Sequence, residues 1–161
     1  MKYKFDSTIK MKSKFIAEEY FSAIIKFSSE ELNNHFIEFN YKDTDMFEFS
    51  VHPETHVIKR FTLTLWNHFQ IFDKDISVPN YIDGTIMIDG PDITECETFM
   101  VNIYSNGMII KLFDQEQKAC YKSGSLIFAI GDNDELIELY VINLSETEVN
   151  HVKNELLLGI G

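Results

Sequence analysis

The chain has 161 residues and a mass of 18.8 kDa, the size of one ordinary domain, and surface scaling puts its folded accessible area at roughly 8,300 Å². Hydrophobic residues at 45%, aromatics at 14% and charged residues at 25% exclude disorder, while three Pro and seven Gly exclude collagen-like, linker-rich and solenoid compositions. A net charge of −12, from 26 acidic and 14 basic side chains, is the wrong sign for holding phosphate backbones or anionic lipid.

In chain order, the first periodic segment reads as a helix. Ile16, Tyr20, Ala23, Ile24 and Phe27 follow the i, i+4, i+7, i+8, i+11 spacing of one helical face, with Ser13 as a cap. A second capping signal, Ser28-Ser29 before Glu30-Glu31, predicts a short continuation through Leu32 and Phe36. The period then changes to two. Ile37, Phe39 and Tyr41 alternate with polar residues, as do Phe47, Phe49 and Val51, and Lys42-Asp43-Thr44-Asp45 between them suits a hairpin turn. Val57 to Trp66 alternates again, residues 73–80 read as loop, and Tyr81 to Met87 reads as one short strand before an Asp89-Gly90-Pro91-Asp92 turn.

Two hairpins follow. Phe99–Tyr104 and Met108–Phe113 flank Ser105-Asn106-Gly107, where Asn-Gly predicts a type I′ turn, and apolar residues on both faces predict a central place in a sheet. Leu126–Ile130 and Leu136–Leu144 flank Gly131-Asp132-Asn133-Asp134. Ser145 with Glu148 forms a capping box, Leu144 with Val149 a staple, and Val149, Val152 and Leu156 a buried stripe ending near Gly159. The pattern predicts a single α+β domain over 1–161: N-terminal helix, predominantly antiparallel β-sheet, C-terminal helix.

The longest strongly apolar run, Leu126 to Ile130, is far too short to span a bilayer, and Asp6, Lys10, Lys12 and Lys14 interrupt any signal-type apolar core. A cytoplasmic protein with Cys96 and Cys120 as free thiols is the expectation. His52-Pro53-Glu54-Thr55-His56 has the i, i+4 histidines of a zinc motif, but Pro53 and flanking strand patterns make it a turn in which the two rings do not converge. Gly131-Asp132-Asn133-Asp134-Glu135 fails as a calcium loop because Leu136 and Ile137 stand where oxygen ligands belong. No nucleophile elbow and no phosphate-cradling glycine loop is present, so neither a cofactor nor a metal is expected.

Residues 1–35 carry six Lys and five acidic groups, which leaves a balance of −13 on the remainder, with acidic loops at Asp43-Thr44-Asp45 and Asp132-Asn133-Asp134. In size, acidity and lack of catalytic motifs the chain resembles the immunity proteins of bacterial polymorphic-toxin and contact-dependent inhibition systems. That resemblance implies a non-enzymatic inhibitor that binds a cognate basic toxin domain, often a nuclease, and occludes its active site. No nucleic-acid or membrane partner is implied, and monomer or homodimer stays open. The candidate contacts are Asp43, Asp45, Asp132, Asp134 and Glu135. Trp66, at the end of an alternating strand, is either a core residue or an exposed anchor. Two other readings fit the composition: a cytosolic secretion chaperone that holds an effector segment, and an enzyme using dispersed carboxylates.

Overall fold

Alternation of apolar and polar side chains governs almost the whole chain, and the backbone follows it. The computed structural model describes residues 1–27 and 34–160, with side chains described throughout these except at Leu65 and residues 156–160. The first strands are β1 (Lys2–Asp6), β2 (Lys14–Glu18), β3 (Phe21–Lys26), β4 (His35–Tyr41), β5 (Asp45–Val51) and β6 (Ile58–Leu65). Then come β7 (Phe69–Ile71), β8 (Ile82–Asp83), β9 (Thr85–Asp89), β10 (Ile93–Glu95), β11 (Met100–Tyr104) and β12 (Gly107–Lys111). The chain finishes with β13 (Ala119–Ser123), β14 (Leu126–Ile130), β15 (Leu136–Val141) and one helix, α1 (Glu146–Ile160).

The expected α+β class with two helices is therefore overturned: among the described residues the molecule is all strand up to α1. The predicted N-terminal helix is the β2–β3 hairpin. Ile16 and Ile24, eight apart, are not stacked on a helix face; they are cross-strand partners. Tyr20 sits at the turn with φ of 73°, a left-handed conformation that interrupts any right-handed helix there. Ser13 caps nothing: its hydroxyl bonds the Ser125 hydroxyl at 2.8 Å and accepts from the Ser125 amide. The proposed continuation through 28–33 lies outside the described residues, and Phe36, its expected last apolar residue, lies in β4.

Two sheets face each other. One has the order β10-β4-β5-β6-β3-β2 and the other β7-β11-β12-β15-β14-β13-β8. Inward side chains of the first (Ala23, Ile25, Phe39, Phe47, Phe49, Phe61, Leu63) and of the second (Val101, Ile103, Ile110, Phe128, Leu139) form one buried cluster. Its rings interlock across the interface, Phe49 against Phe128 at 5.6 Å. Burying each such ring stabilises the fold by about 1.5–3 kcal/mol, which makes this sandwich the dominant favourable contribution. The folded surface is 8594 Å², close to the scaling expectation.

The second sheet is covered on its outer face too. Ile109, Ile127, Ala129, Ile137, Tyr140 and Ile142 form a smaller cluster there, closed by Ile76, Tyr104 and Phe113. Segment 72–81 supplies that cover, pinned where the Ser105 amide donates to Lys74 O and the Ile76 amide donates to Asn106 Oδ1. Hence β14 reads LIFAI with every residue buried and no alternation. β1 and β9 make a separate antiparallel ribbon beside the sandwich, with Tyr3 and Phe5 against Tyr121. The single strand expected over Tyr81–Met87 is thus two, β8 beside β13 and β9 beside β1.

The C-terminal reading stands except at its end. Ser145 Oγ accepts from the Glu148 amide at 3.1 Å while Glu148 Oε1 accepts from the Ser145 amide at 3.0 Å, and Leu144, Val149 and Val152 are buried. Gly159 falls inside α1 instead of beyond it, and the side chain of Leu156 lies outside the description. The type I′ turn is also corrected. Neither Asn106 nor Gly107 has positive φ, and Gly107 is already a strand residue paired with Tyr104.

Candidate protein-binding surface

The registers bring six connections to one end of the sandwich. Tyr41 pairs with Asp45, so turn 42–44 lies there. The amides of Asn67 and His68 donate to Asp45 Oδ1 at 2.6 and 3.1 Å, and the Val101 amide donates to His68 O, which carries the same end across to the second sheet. On that sheet Met100 pairs with Lys111, Lys111 with Glu138, and Ile130 with Leu136, which places segments 112–118 and 131–135 alongside. Segment 96–99 joins them through Thr98 N to Leu112 O, and the β2–β3 turn through the Trp66 indole N–H to Ser22 Oγ.

This end is strongly acidic. Glu18, Glu19, Asp43, Glu97, Asp114, Glu116, Asp132 and Asp134 are exposed there and Glu135 is half-buried; among the described residues Lys42, Lys111 and Lys118 lie at the same end, and Lys2 and Lys4 line a groove beside Asp134. Among the described residues, the connections at the opposite end (7–13, 52–57, 72–75, 90–92, 105–106, 124–125 and 142–145) carry Lys10, Lys12 and Lys74 against Glu54, Asp73, Asp75 and Asp92. The surplus is gathered, not scattered. Clustered like charge on neighbouring loops projects a directional field into solvent.

The residues singled out by sequence separate into two groups. Asp43 stands exposed on its turn with φ of 58°; Asp132 is exposed; Asp134, φ 55°, meets Lys118 at 3.5 Å. Glu135 accepts from Gln115 Nε2 at 2.9 Å. Asp45 and Trp66 are corrections. Asp45 is wholly buried, and its carboxylate accepts from two amides, from Thr44 Oγ1 at 2.7 Å and from His68 Nδ1 at 2.7 Å. Trp66 is 8% exposed, with its N–H spent on Ser22 and its ring edge-on to Phe69. Neither presents a surface to a partner.

Sequence reasoning missed His68. The buried Asp45 fixes its ring, Tyr41 lies edge-on at 5.8 Å, and nearly half the imidazole stays in solvent. Nothing in the spacing of Asp45 and His68 signals this; only strand register brings them together.

Among the described residues, neither of the two larger clefts brings two carboxylates together. A cleft of about 490 Å³ at the opposite end is lined by Lys12, Ser13, Lys14, Ser125, Asn143 and Glu148, and Glu148 is committed to its capping box. A groove of about 530 Å³ along β1 holds Lys2, Lys4, Tyr3 and Asp134. Burial first, then Tyr121 and Asp134, pushes the Tyr3 hydroxyl up to about 12. The Cys96 thiol is pushed up to about 12 by burial and then by Glu95 and Glu135, so it is a protonated thiol at neutral pH. Cys120 shifts the same way, again mainly through burial. Both cysteines are free and buried. His52 and His56 form the predicted turn, with His52 Nδ1 accepting from the Glu54 and Thr55 amides at 3.1 Å each. Among the described residues no group of three His, Cys, Asp or Glu could hold a metal ion, and no helix is long and apolar enough to cross a membrane.

Comparison with known proteins finds no match: no family model fits the chain and no curated protein matches it.

Proposed function

We propose that this chain is a non-enzymatic, cytoplasmic inhibitor of the immunity-protein type, which sets its acidic end against the cationic cleft of a nuclease-type toxin and covers the active site. The observation that carries this reading is the gathering of nine carboxylates at one end while the opposite end stays close to neutral. A nuclease must hold phosphates with Lys and Arg, so its cleft is the complementary surface. Steering between such surfaces raises association to about 10⁸–10⁹ M⁻¹s⁻¹ at low salt. The rigid hairpins behind the loops keep the charges in place, so little ordering is lost on binding.

The test is protection and kinetics together. The product of the reading frame immediately upstream, expected under this reading to carry the toxic domain, is expressed alone and together with this chain, and growth is scored. Association of the two purified proteins is then followed by stopped flow from about 50 to about 500 mM salt, where screening becomes strong. Wild type is expected to protect, with association falling steeply as salt rises. An Asp132→Lys/Asp134→Lys/Glu135→Lys variant is expected to associate roughly tenfold to a hundredfold more slowly at low salt. Unchanged association by that variant, or growth arrest despite co-expression, overturns the reading.

A further inference from the structure

The first strand has an unpaired edge that the acidic end does not explain. Among the described residues the only strand paired with β1 is β9. The Ile86 amide donates to Ser123 Oγ and the Ile88 amide to His56 O, both away from β1, while the Lys2 amide donates to Gly90 O on the β9 side. Direction alternates along an antiparallel strand. Lys2, Lys4 and Asp6 therefore turn their amides and carbonyls to β9, and Tyr3 and Phe5 turn theirs to the open side. A groove of about 530 Å³ lies there, lined by every residue from Met1 to Phe5. One face of a strand would contribute alternate residues only, so the groove follows the edge.

The edges of the two larger sheets are blunted. β7 and β10 have three residues each, β8 has two, and β2 loses regular pairing between Ile16 and Glu18. β1 is five residues long and paired without interruption. It is also held from beneath, with the Phe5 and Tyr3 rings 4.6 and 5.6 Å from Tyr121. A Cβ on Gly84 would lie 2.7 Å from the Phe5 ring, so that glycine lets the strand seat. An edge fixed in advance loses little freedom when another strand is added to it.

Charge selects what can be added. Lys2 and Lys4 are exposed on the face opposite Tyr3 and Phe5, and among the described residues neither makes an ion pair. β9 sets Asp89 across from Lys2 but Met87 across from Lys4. Asp134, the groove's one carboxylate, is already met by Lys118 at 3.5 Å. A second copy paired antiparallel in a register centred on Tyr3 would set Lys2 against its neighbour's Lys4. A register centred on Lys4 would set that residue against its own counterpart. Like charges directly opposite oppose pairing, and lysines on an edge guard against self-association in this way.

We infer that β1 accepts an extended segment of another protein as an added strand, bonded to the backbone of Tyr3 and Phe5, with an Asp or Glu side chain beside Lys4. Such a segment alternates, acidic residues on the lysine face and apolar residues toward Tyr121. The pairing goes beyond the inhibitor reading and does not depend on it.

The experiment uses synthetic strands. The full chain, isotopically labelled, is titrated with a blocked peptide of alternating Glu and Val and with one of alternating Lys and Val. A third probe is the Glu peptide N-methylated at Val, whose amides face β1 when Glu lies beside Lys4. Shifts and hydrogen exchange at Tyr3 and Phe5 are read by NMR at about 150 mM salt, where the field of the acidic end is screened beyond about 8 Å. In the free chain the Tyr3 and Phe5 amides are expected to exchange faster than that of Lys4. The Glu peptide is expected to bind with a roughly millimolar dissociation constant and to slow exchange at Tyr3 and Phe5. The Lys peptide is expected to bind at least about fivefold more weakly, and Lys4→Glu, at an exposed position, to reverse that order. The N-methylated probe is expected to slow neither amide. Four results each overturn the inference: equal affinity for the two charged peptides in both wild type and Lys4→Glu, undiminished binding of the methylated probe, no slowing at Tyr3 and Phe5, or protection of those amides by raising the concentration of the chain alone, the mark of a second copy.

Discussion

Asp45 shows how a surface-looking carboxylate becomes a structural brace. Its four hydrogen bonds tie the β4–β5 turn to the chain crossing into the second sheet, at 0% exposure. Asp45→Ala strands the Asn67 and His68 amides and the His68 ring together. The expected cost is about 3 kcal/mol, a fall of about 6–12 °C in Tm for a domain this size. Asp45→Asn, which keeps an acceptor for the amides, is expected to lose less. Thermal unfolding followed by circular dichroism decides it, and an unchanged midpoint for Asp45→Ala would show the network contributes nothing. Glu48 behaves in the opposite sense. Its carboxyl is raised in the folded state, so folding is penalised above the ordinary carboxylate range and unpenalised below it. Glu48→Gln is expected to raise Tm by about 1–2 °C at pH 7 and by nothing at about pH 3. A gain that did not vanish in acid would put the effect outside titration. At this scale the sequence was half legible: acidity was visible in both Asp43 and Asp45, but inward direction comes from pairing with Tyr41, which composition does not carry.

At the scale of elements, strand alternation was legible wherever one face met solvent. β4, β5 and β6 lie where Ile37–Tyr41, Phe47–Val51 and Val57–Trp66 placed them, within a residue or two. The failure at β2–β3 has a physical origin. Positions i and i+8 share a helix face, and they are also cross-strand partners in a tight hairpin, so Ile16 and Ile24 satisfy both patterns. β-Branched Ile24-Ile25 and burial of Ser22 through Ile25 favour the strand. The C-terminal helix was recoverable because its capping box is local chemistry. Gly107 was read correctly as special and for the wrong reason. A Cβ there would lie 2.5 Å from Val141 O, so Gly107 permits close approach of β15, not a left-handed turn. Gly107→Ala is accordingly expected to cost about 1–3 kcal/mol through overpacking, read as a lower urea midpoint with unchanged slope. A neutral result would return the glycine's role to the turn.

The distribution of charge belongs to the whole molecule. The nine carboxylates at the acidic end come from five separate stretches between Glu18 and Glu135, and only the order of strands in two sheets assembles them. Local sequence shows a surplus; topology decides whether it points anywhere. Position and total charge can be separated by experiment. Asp132→Lys/Asp134→Lys/Glu135→Lys and Glu54→Lys/Asp73→Lys/Asp89→Lys each raise the net charge of −12 by six units, two per reversal. The first set alters the acidic end, whereas Glu54, Asp73 and Asp89 are exposed away from it. If attraction between whole-molecule charges governs encounter, the two variants slow association with a basic toxin domain equally. If the local field does, the first slows it roughly tenfold or more at low salt while the second stays within about twofold, because Debye screening near 10 Å isolates one end from the other. Stopped-flow rates for the pair at matched ionic strength distinguish the two, and equal slowing would remove the acidic end as a docking surface.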